Sequence, residues 1–245
     1  KLEPGSTELE ETGMQIPPGA PAFQSQYEEV AAAVEEAHIR GMRVVTHSRS
    51  AAAVKQAVRH GVDVIGHANY LDDEAVDMLE AKRDQIFVCP AIAWEITLLD
   101  RGSELGLPRD AMEQRGYQRE VDETISAVKR LRDCKVRVLV GGDYGLNITP
   151  HGTNSKDLEY FVDLFGMSTS EALLCATRDG GAAADTSGMV GTLEEGKYAD
   201  LVIVDGNPLE DIRILQDHSR IVGVMKDGVM HCALMQKNPY IAPDE

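Results

Sequence analysis

The stretch VRVLVGGDYG, residues 136–145, passes from an aliphatic run directly into two glycines and an aspartate. Residues 136–140 have the composition and the length of a buried strand. Asp143 therefore places a carboxylate where that strand opens into a loop. Such an aspartate can cap the next helix, or it can be the last ligand of a metal site. The two interpretations lead to different functions, and the rest of the chain distinguishes them.

Short apolar strands alternate with amphipathic helices on the N-terminal side of this stretch. Strands are predicted at residues 44–47, 62–67 and 86–89, and helical periodicity fills much of the chain between them. This alternation predicts an α/β fold in which helices cover a parallel sheet. It leaves two architectures open, a doubly wound sheet and part of a (β/α)8 barrel. No glycine-rich phosphate motif follows any of these strands, which argues against a nucleotide-binding protein.

The character of the sequence changes after about residue 187. A strand is predicted at residues 199–204, and segments 221–225 and 229–232 flank the turn signal Lys-Asp-Gly as a β-hairpin. We therefore expect two domains, an α/β domain over 1–187 and a small all-β unit over 188–245.

Composition narrows the choice of partners and compartment. The formal net charge is −17, which argues against binding to nucleic acid or to anionic membranes. No apolar run approaches the roughly 18 residues that a membrane-spanning helix needs. The four cysteines show no CxxC spacing and predict buried thiols in a reducing compartment. We therefore expect an acidic, cytoplasmic protein.

Three of the predicted strands are followed by, or end in, a polar residue that is able to bind a metal. These residues are His47, His67 and Asp143. Side chains at the carboxyl ends of parallel strands converge on one edge of the sheet, and in barrels this edge carries the active site. Two imidazoles and a carboxylate are a ligand set for zinc or a similar divalent ion. The pattern therefore favours the metal-site interpretation of Asp143.

Five segments carry a resemblance to a known family. They are VVTHSRS (44–50), VIGHANYLDDE (64–74), VGGDYG (140–145), MSTSEALLCATRDGG (167–181) and GTLEEGKYADLVIVDGNPLEDI (191–212). Together they resemble the second half of a metal-dependent amidohydrolase of the imidazolonepropionase, prolidase and phenylurea hydrolase branch. The resemblance extends from residue 1 to about residue 232. It implies strands four to eight of a (β/α)8 barrel, followed by part of a small β-sandwich.

The resemblance also implies a site and a reaction. His47 would be the strand-five ligand, His67 the strand-six ligand, and Asp143 the strand-eight ligand that moves a proton from metal-activated water to the leaving nitrogen. Lys1 would be the strand-four lysine, carbamylated to bridge two metals, unless it is an arbitrary terminal residue. The family uses one or two divalent ions, and we expect zinc. The implied activity is hydrolysis of a C–N bond in a small-molecule amide, urea or carbamate.

Two departures from the family pattern leave alternatives open. The family's strand-one His-x-His pair is absent, since no two of the seven histidines are spaced i, i+2. A full barrel takes ~250 residues, so strands one to three are expected to come from the same protein or from a second chain, and a homo-oligomer is expected. A deaminase, a cyclic-amide hydrolase and a non-catalytic assembly scaffold remain possible on the same fold.

Four further residues are weaker candidates for substrate binding. Arg49 follows His47 by two residues and can face a substrate carbonyl or carboxylate, or pair with a surface acid. Trp94 can wall the pocket or serve only in packing. Tyr144 follows Asp143 directly. His151 lies on the loop beyond it, where an exposed histidine often has no function.

Overall fold

The computed structural model describes residues 27–233, with side chains from residue 29 to residue 231. Its first part alternates helices with strands, and two additional helices precede the last strand. In chain order the elements are α1 (Tyr27–Ile39), β1 (Val45–Ser50), α2 (Ala51–His60), β2 (Val64–Tyr70), α3 (Asp73–Ala81), β3 (Phe87–Cys89), α4 (Ile92–Arg101), α5 (Arg109–Gln114), α6 (Tyr117–Asp133) and β4 (Arg137–Val138).

The four strands form one sheet in the order β1-β2-β3-β4, with every neighbouring pair parallel. This confirms the predicted α/β fold with a parallel sheet. β4 is shorter than the predicted strand over 136–140, because the ladder ends soon after Leu139 donates its backbone N–H to the Val88 carbonyl at 2.8 Å. In the described part of the chain, β1 and β4 are the edges of this sheet.

Local sequence sets where the helices around the sheet begin and end. The Ser50 side chain accepts a hydrogen bond from the Ala53 backbone, so α2 starts as soon as β1 ends. Gly61, with φ of 79°, ends α2 in the left-handed region that favours glycine. Asp72 caps α3 through the Ala75 N–H, which places the acidic residues of its first turn at the positive end of that helix.

The two faces of β1 have different surroundings. Thr46, Ser48 and Ser50 are buried on one face, whereas His47 and Arg49 alternate with them and are only partly buried. A hydrophobic core of helix and strand residues, among them Ile65 and Val88, packs between the sheet and its helices. The histidine of β1 thus lies on the face that is less covered in the described structure.

The C-terminal part contains three more helices and a second sheet. The helices are α7 (Lys156–Asp163), α8 (Thr169–Leu174) and α9 (Gly180–Ala184), and the strands are β5 (Leu201–Val204), β6 (Ile221–Lys226) and β7 (Val229–Ala233).

The second sheet is antiparallel, in the order β5-β6-β7. The predicted hairpin is confirmed, with Asp227 and Gly228 both at positive φ in its turn. Val202 and Val229 are 57% and 59% exposed on this sheet. The expected boundary at residues 187 and 188 stays a prediction. Within residues 27–233, every helix is too short or too polar to span a bilayer.

Candidate metal centre

Three polar side chains meet at the carboxyl ends of the parallel strands. His47 lies in β1, His67 lies in β2, and Asp143 follows β4. His47 Nδ1 is 2.5 Å from His67 Nε2, and His67 Nε2 is 3.6 Å from Asp143 Oδ2. The imidazole rings stack with their centroids 4.7 Å apart. One ligand atom from each residue lies within 4.8 Å of the others, so residues far apart in the sequence form one cluster.

Asp143 does not cap the following helix. α7 begins at Lys156, and its N-cap position is occupied by Ser155. The Asp143 side chain instead faces His67, while its backbone carbonyl accepts a hydrogen bond from the Thr149 hydroxyl at 2.8 Å. Of the two interpretations of this aspartate, the geometry favours the metal ligand.

The backbone around His67 departs from a regular strand. A Cβ on Gly66 would lie 2.6 Å from the Thr46 carbonyl oxygen, so glycine allows β1 and β2 to approach closely here. The ladder then shifts register between Ser48 and Ser50. His67 and Ala68 follow with φ of 72° and 55°, in a left-handed region that costs an L-residue ~1–2 kcal/mol. This local bend directs the His67 imidazole toward the cluster.

A second set of contacts fixes the chain that leads to Asp143. A Cβ on Gly142, whose φ is 154°, would lie 2.5 Å from the Ala91 Cβ, so the two segments pack backbone against backbone. The buried carboxylate of Asp157 accepts hydrogen bonds from the Gly141 N–H at 3.2 Å and the Ala93 N–H at 3.3 Å. Burial raises the pKa of Asp157 to about 7, although these donors act in the opposite direction.

A buried polar network lies beside the two histidines. Asn69 Nδ2 donates to Glu95 Oε1 at 2.6 Å and to Thr124 Oγ1 at 2.5 Å. Arg49 forms ion pairs with Glu95 and with Glu120, two acids that are themselves buried. Burial raises the pKa of Glu95 to about 7, and the charge of Arg49 is the largest opposing cause. We refer to these five residues as the Glu95 network.

The remaining predicted site residues lie in varied surroundings. Trp94 is partly buried and packs against the second hydrophobic core. Tyr144 lies beside Asp157, and burial raises the pKa of its hydroxyl above the usual range. His151 is exposed, with its ring against Gly145. Lys1 lies outside the described residues. Substrate-binding roles for Arg49, Trp94, Tyr144 and His151 stay predictions.

Sequence reasoning did not find the buried polar residues that support the cluster. Glu95 is the one charged residue in the otherwise uncharged and mostly apolar segment CPAIAWEITLL, residues 89–99. A single acid in such a segment is a sequence signal for a buried carboxylate. Thr124 lies on the apolar face of α6. Asn69 and Asp157 give no comparable signal, because their importance depends on neighbours from other elements.

The fold and the cluster define an α/β protein with a candidate metal centre at the carboxyl ends of its parallel strands. Residues 10–230 match the amidohydrolase family, and the chain belongs to that family. The sequence is 27% identical over 217 residues to ochratoxinase of Aspergillus niger, which covers 88% of this chain and 42% of that enzyme.

Solved structures are also similar to the chain. A Xaa-Pro dipeptidase with bound methionine in the active site is 29% identical, with a TM-score of 0.73 over 86% of this chain and 50% of that one. Phenylurea hydrolase B, at 24% identity and a TM-score of 0.60, covers 86% of this chain and 48% of its own, and shows similarity of fold alone. The chain thus spans about half the length of these relatives.

Proposed function

We propose that the protein is a metal-dependent hydrolase of C–N bonds in small molecules, with an amide as the preferred substrate. The single observation that carries this proposal is the convergence of His47, His67 and Asp143 within 4.8 Å. An α/β scaffold by itself would leave the reaction open. Membership of the amidohydrolase family and similarity to an ochratoxinase and a Xaa-Pro dipeptidase support the choice of an amide.

The residues of the cluster fit a divalent ion. Neutral imidazole nitrogens and a carboxylate oxygen are the donors that zinc accepts in catalytic sites, and here they come from two neighbouring strands and the loop after β4. His67 is buried, whereas 22% of the Asp143 side chain is exposed, so the cluster is open on one side. A divalent ion held there would lower the pKa of water from ~15.7 to about 7 and polarise a substrate carbonyl.

Asp143 is the residue that we assign to proton transfer. Its carboxylate lies at the cluster and remains partly accessible, which suits a group that must meet both water and substrate. It would accept a proton from the attacking water as a general base and donate it to the leaving nitrogen as a general acid. The close packing of Gly142 against Ala91 and the hydrogen bond from the Gly141 N–H to the Asp157 carboxylate hold the segment that carries it.

We propose that elements outside the described residues complete the site. The free edges of β1 and β4 support this, because unpaired edges of a parallel sheet are normally covered or continued by further strands. The completed structure would be a (β/α)8 barrel with a small β-sandwich. Lys1, which lies outside the described residues, would be the carbamylated lysine between two metals, and the other strands and ligands would come from the same protein or from a second chain.

A substrate panel measured with the full chain tests the function. The protein is stripped with a chelator, reloaded with Zn²⁺, and assayed on N-acyl amino acids, Xaa-Pro dipeptides, phenylureas and carbamates. We expect equal amounts of a carboxylic acid and an amine from the amides, loss of activity on stripping and recovery on reloading. His67→Ala should abolish this activity, whereas Asp77→Asn, on the exposed surface of α3, should not.

Two results would contradict the proposal. Release of ammonia without a new carboxylic acid would indicate a deaminase. A folded protein with close to no bound metal after reloading would indicate an assembly scaffold without catalysis.

A further inference from the structure

We propose that Glu95 is a positioning residue that fixes the spacing of His47 and His67, acting through Arg49 and Asn69. This inference rests on the proposed function, since it concerns the residues expected to hold the metal. Glu95 and Asn69 do not touch the reacting atoms in this assignment. Their role is to set where the two imidazoles stand.

The link to His67 passes through Asn69, two residues further along the same chain segment. Both hydrogens of the Asn69 amide group are directed at the network, one at Glu95 Oε1 (2.6 Å) and one at Thr124 Oγ1 (2.5 Å). The Thr124 hydroxyl in turn lies 2.9 Å from Glu95 Oε2. Asn69, Glu95 and Thr124 are completely buried, so water cannot replace these bonds.

This anchor acts where the backbone needs one. His67 and Ala68 both adopt left-handed conformations, and neither is a glycine. Strained backbone of this kind persists only where the surrounding structure holds it. Asn69 comes directly after the strained pair, and its side chain connects that pair to α4 and α6. Without the connection, we expect the His67 backbone to relax and its imidazole to leave the cluster.

The link to His47 passes through Arg49, also two residues further along the chain. Residues two apart on a strand lie on one face, so His47 and Arg49 share the face that carries the cluster. Arg49 Nη1 forms an ion pair with Glu120 and lies 3.7 Å from Glu95 Oε1. A buried charge group of this kind is weak evidence for stability. Its geometry does tie both histidine-bearing strands to one carboxylate.

The experiment compares four variants of the full chain loaded with Co²⁺, whose visible absorption reports ligand geometry. Glu95→Gln keeps the size of the side chain but leaves one acceptor oxygen, instead of two, for Asn69 and Thr124. Thr124→Val removes the hydroxyl from the network, and Thr124→Ser retains it. Thr46→Val is the matched control, because Thr46 is also buried in β1 and, among the described residues, its hydroxyl bonds Ser48 alone, on the opposite face from His47.

We expect Glu95→Gln and Thr124→Val to weaken Co²⁺ binding by about 10-fold or more and to change the absorption spectrum, as loss of a supporting residue typically does. Thr124→Ser, which retains the hydroxyl, should keep the wild-type Co²⁺ affinity and absorption spectrum. Thr46→Val should lower thermal stability while leaving the spectrum and the dissociation constant unchanged. Unchanged Co²⁺ binding and spectrum in both Glu95→Gln and Thr124→Val would overturn the inference.

A readout without metal separates this inference from the proposed function. If the wild-type chain, assembled with the elements that supply the remaining strands and ligands, binds no Co²⁺, the proposed function is wrong, and crystal structures of Glu95→Gln then decide the positioning role. A displaced His67 imidazole, with φ of residues 67 and 68 returned to negative values, would support it. Unchanged histidine positions would overturn it.

Discussion

The close contact between Gly142 and Ala91 explains why Asp143, which follows a strand, becomes part of the candidate metal centre. Gly142 packs against Ala91 so closely that a Cβ would meet it at 2.5 Å, which fixes where the next residue can stand. Asp143 then faces His67 across 3.6 Å. If the chain between β4 and Asp143 were longer or less tightly packed, we would expect the carboxylate to be hydrated by solvent instead. The glycine before the aspartate is therefore as much a determinant of the site as the aspartate itself.

The role assigned to Asp143 predicts the effect of a conservative substitution. Asp143→Asn preserves the shape of the side chain but cannot accept a proton, so kcat should fall by about 10²–10⁴-fold, the usual contribution of a general acid–base group. The measurement is kcat on the best amide of the panel, together with bound metal per chain. Asp77→Asn is the control. A kcat within about threefold of wild type would remove Asp143 from the chemistry.

At the scale of elements, Asp157 ties together three parts of the fold. It lies in α7. Its carboxylate accepts hydrogen bonds from the Ala93 N–H in the first turn of α4 and from the Gly141 N–H in the chain after β4. The contact between Gly141 and Cys89, whose thiol donates to the Gly141 carbonyl at 3.0 Å, adds a link to β3. These bonds hold the segment that presents Asp143.

The raised pKa of Asp157 predicts how stability depends on pH. The native state keeps this proton up to about pH 7, whereas the unfolded chain releases it near the ordinary value of 3.8. Between these values the native state binds more protons, so the free energy of unfolding should fall as pH rises from about 4 to about 7. It should then level off. Asp157→Asn should make this slope smaller, and Glu95 should contribute in the same direction.

Urea unfolding of the metal-free protein at pH values from 5 to 8 measures this dependence. Asp77→Asn serves as the exposed control and should keep the wild-type slope. A stability that increases with pH over this range, or equal slopes in wild type and Asp157→Asn, would show that the Asp157 proton is not held in the native state.

The sequence predicts the main elements because their signals are local. The apolar strands, the helices between them and the hairpin at Asp227 and Gly228 all follow from residues close together in the chain. The metal cluster was also predictable, since each of its three residues lies at or just after the end of a predicted strand, although β1 and β2 in the structure continue past the two histidines. The Glu95 network was not, because a buried acid acquires its partners only when α4, α6 and β2 pack together. The end of β4 likewise depends on its neighbour β3.

At the scale of the whole molecule, the described residues leave surfaces that a folded protein normally covers. Val45, at the start of edge strand β1, is 41% exposed, and Val202 and Val229 are exposed on the second sheet. Edge strands and apolar patches of this kind promote association. Mutual repulsion from the net charge of −17 opposes it. The balance of these two effects should depend on salt.

We therefore expect the 245-residue chain alone to associate, more strongly at high salt. Size-exclusion chromatography with light scattering measures the mass directly. The double substitution Val202→Lys and Val229→Lys should reduce association through the second sheet. A chain that is monomeric at every salt concentration, with a sharp thermal transition, would contradict the view that further strands complete this fold.

The most direct test of the account is anomalous X-ray scattering from crystals of the protein grown with Zn²⁺, recorded on both sides of the zinc absorption edge. We predict a strong peak bounded by His47, His67 and Asp143, at about 2.0–2.2 Å from a nitrogen of each imidazole and an oxygen of the carboxylate. An empty cluster in crystals that bind zinc elsewhere, or three side chains that turn away from one another, would contradict the central claim.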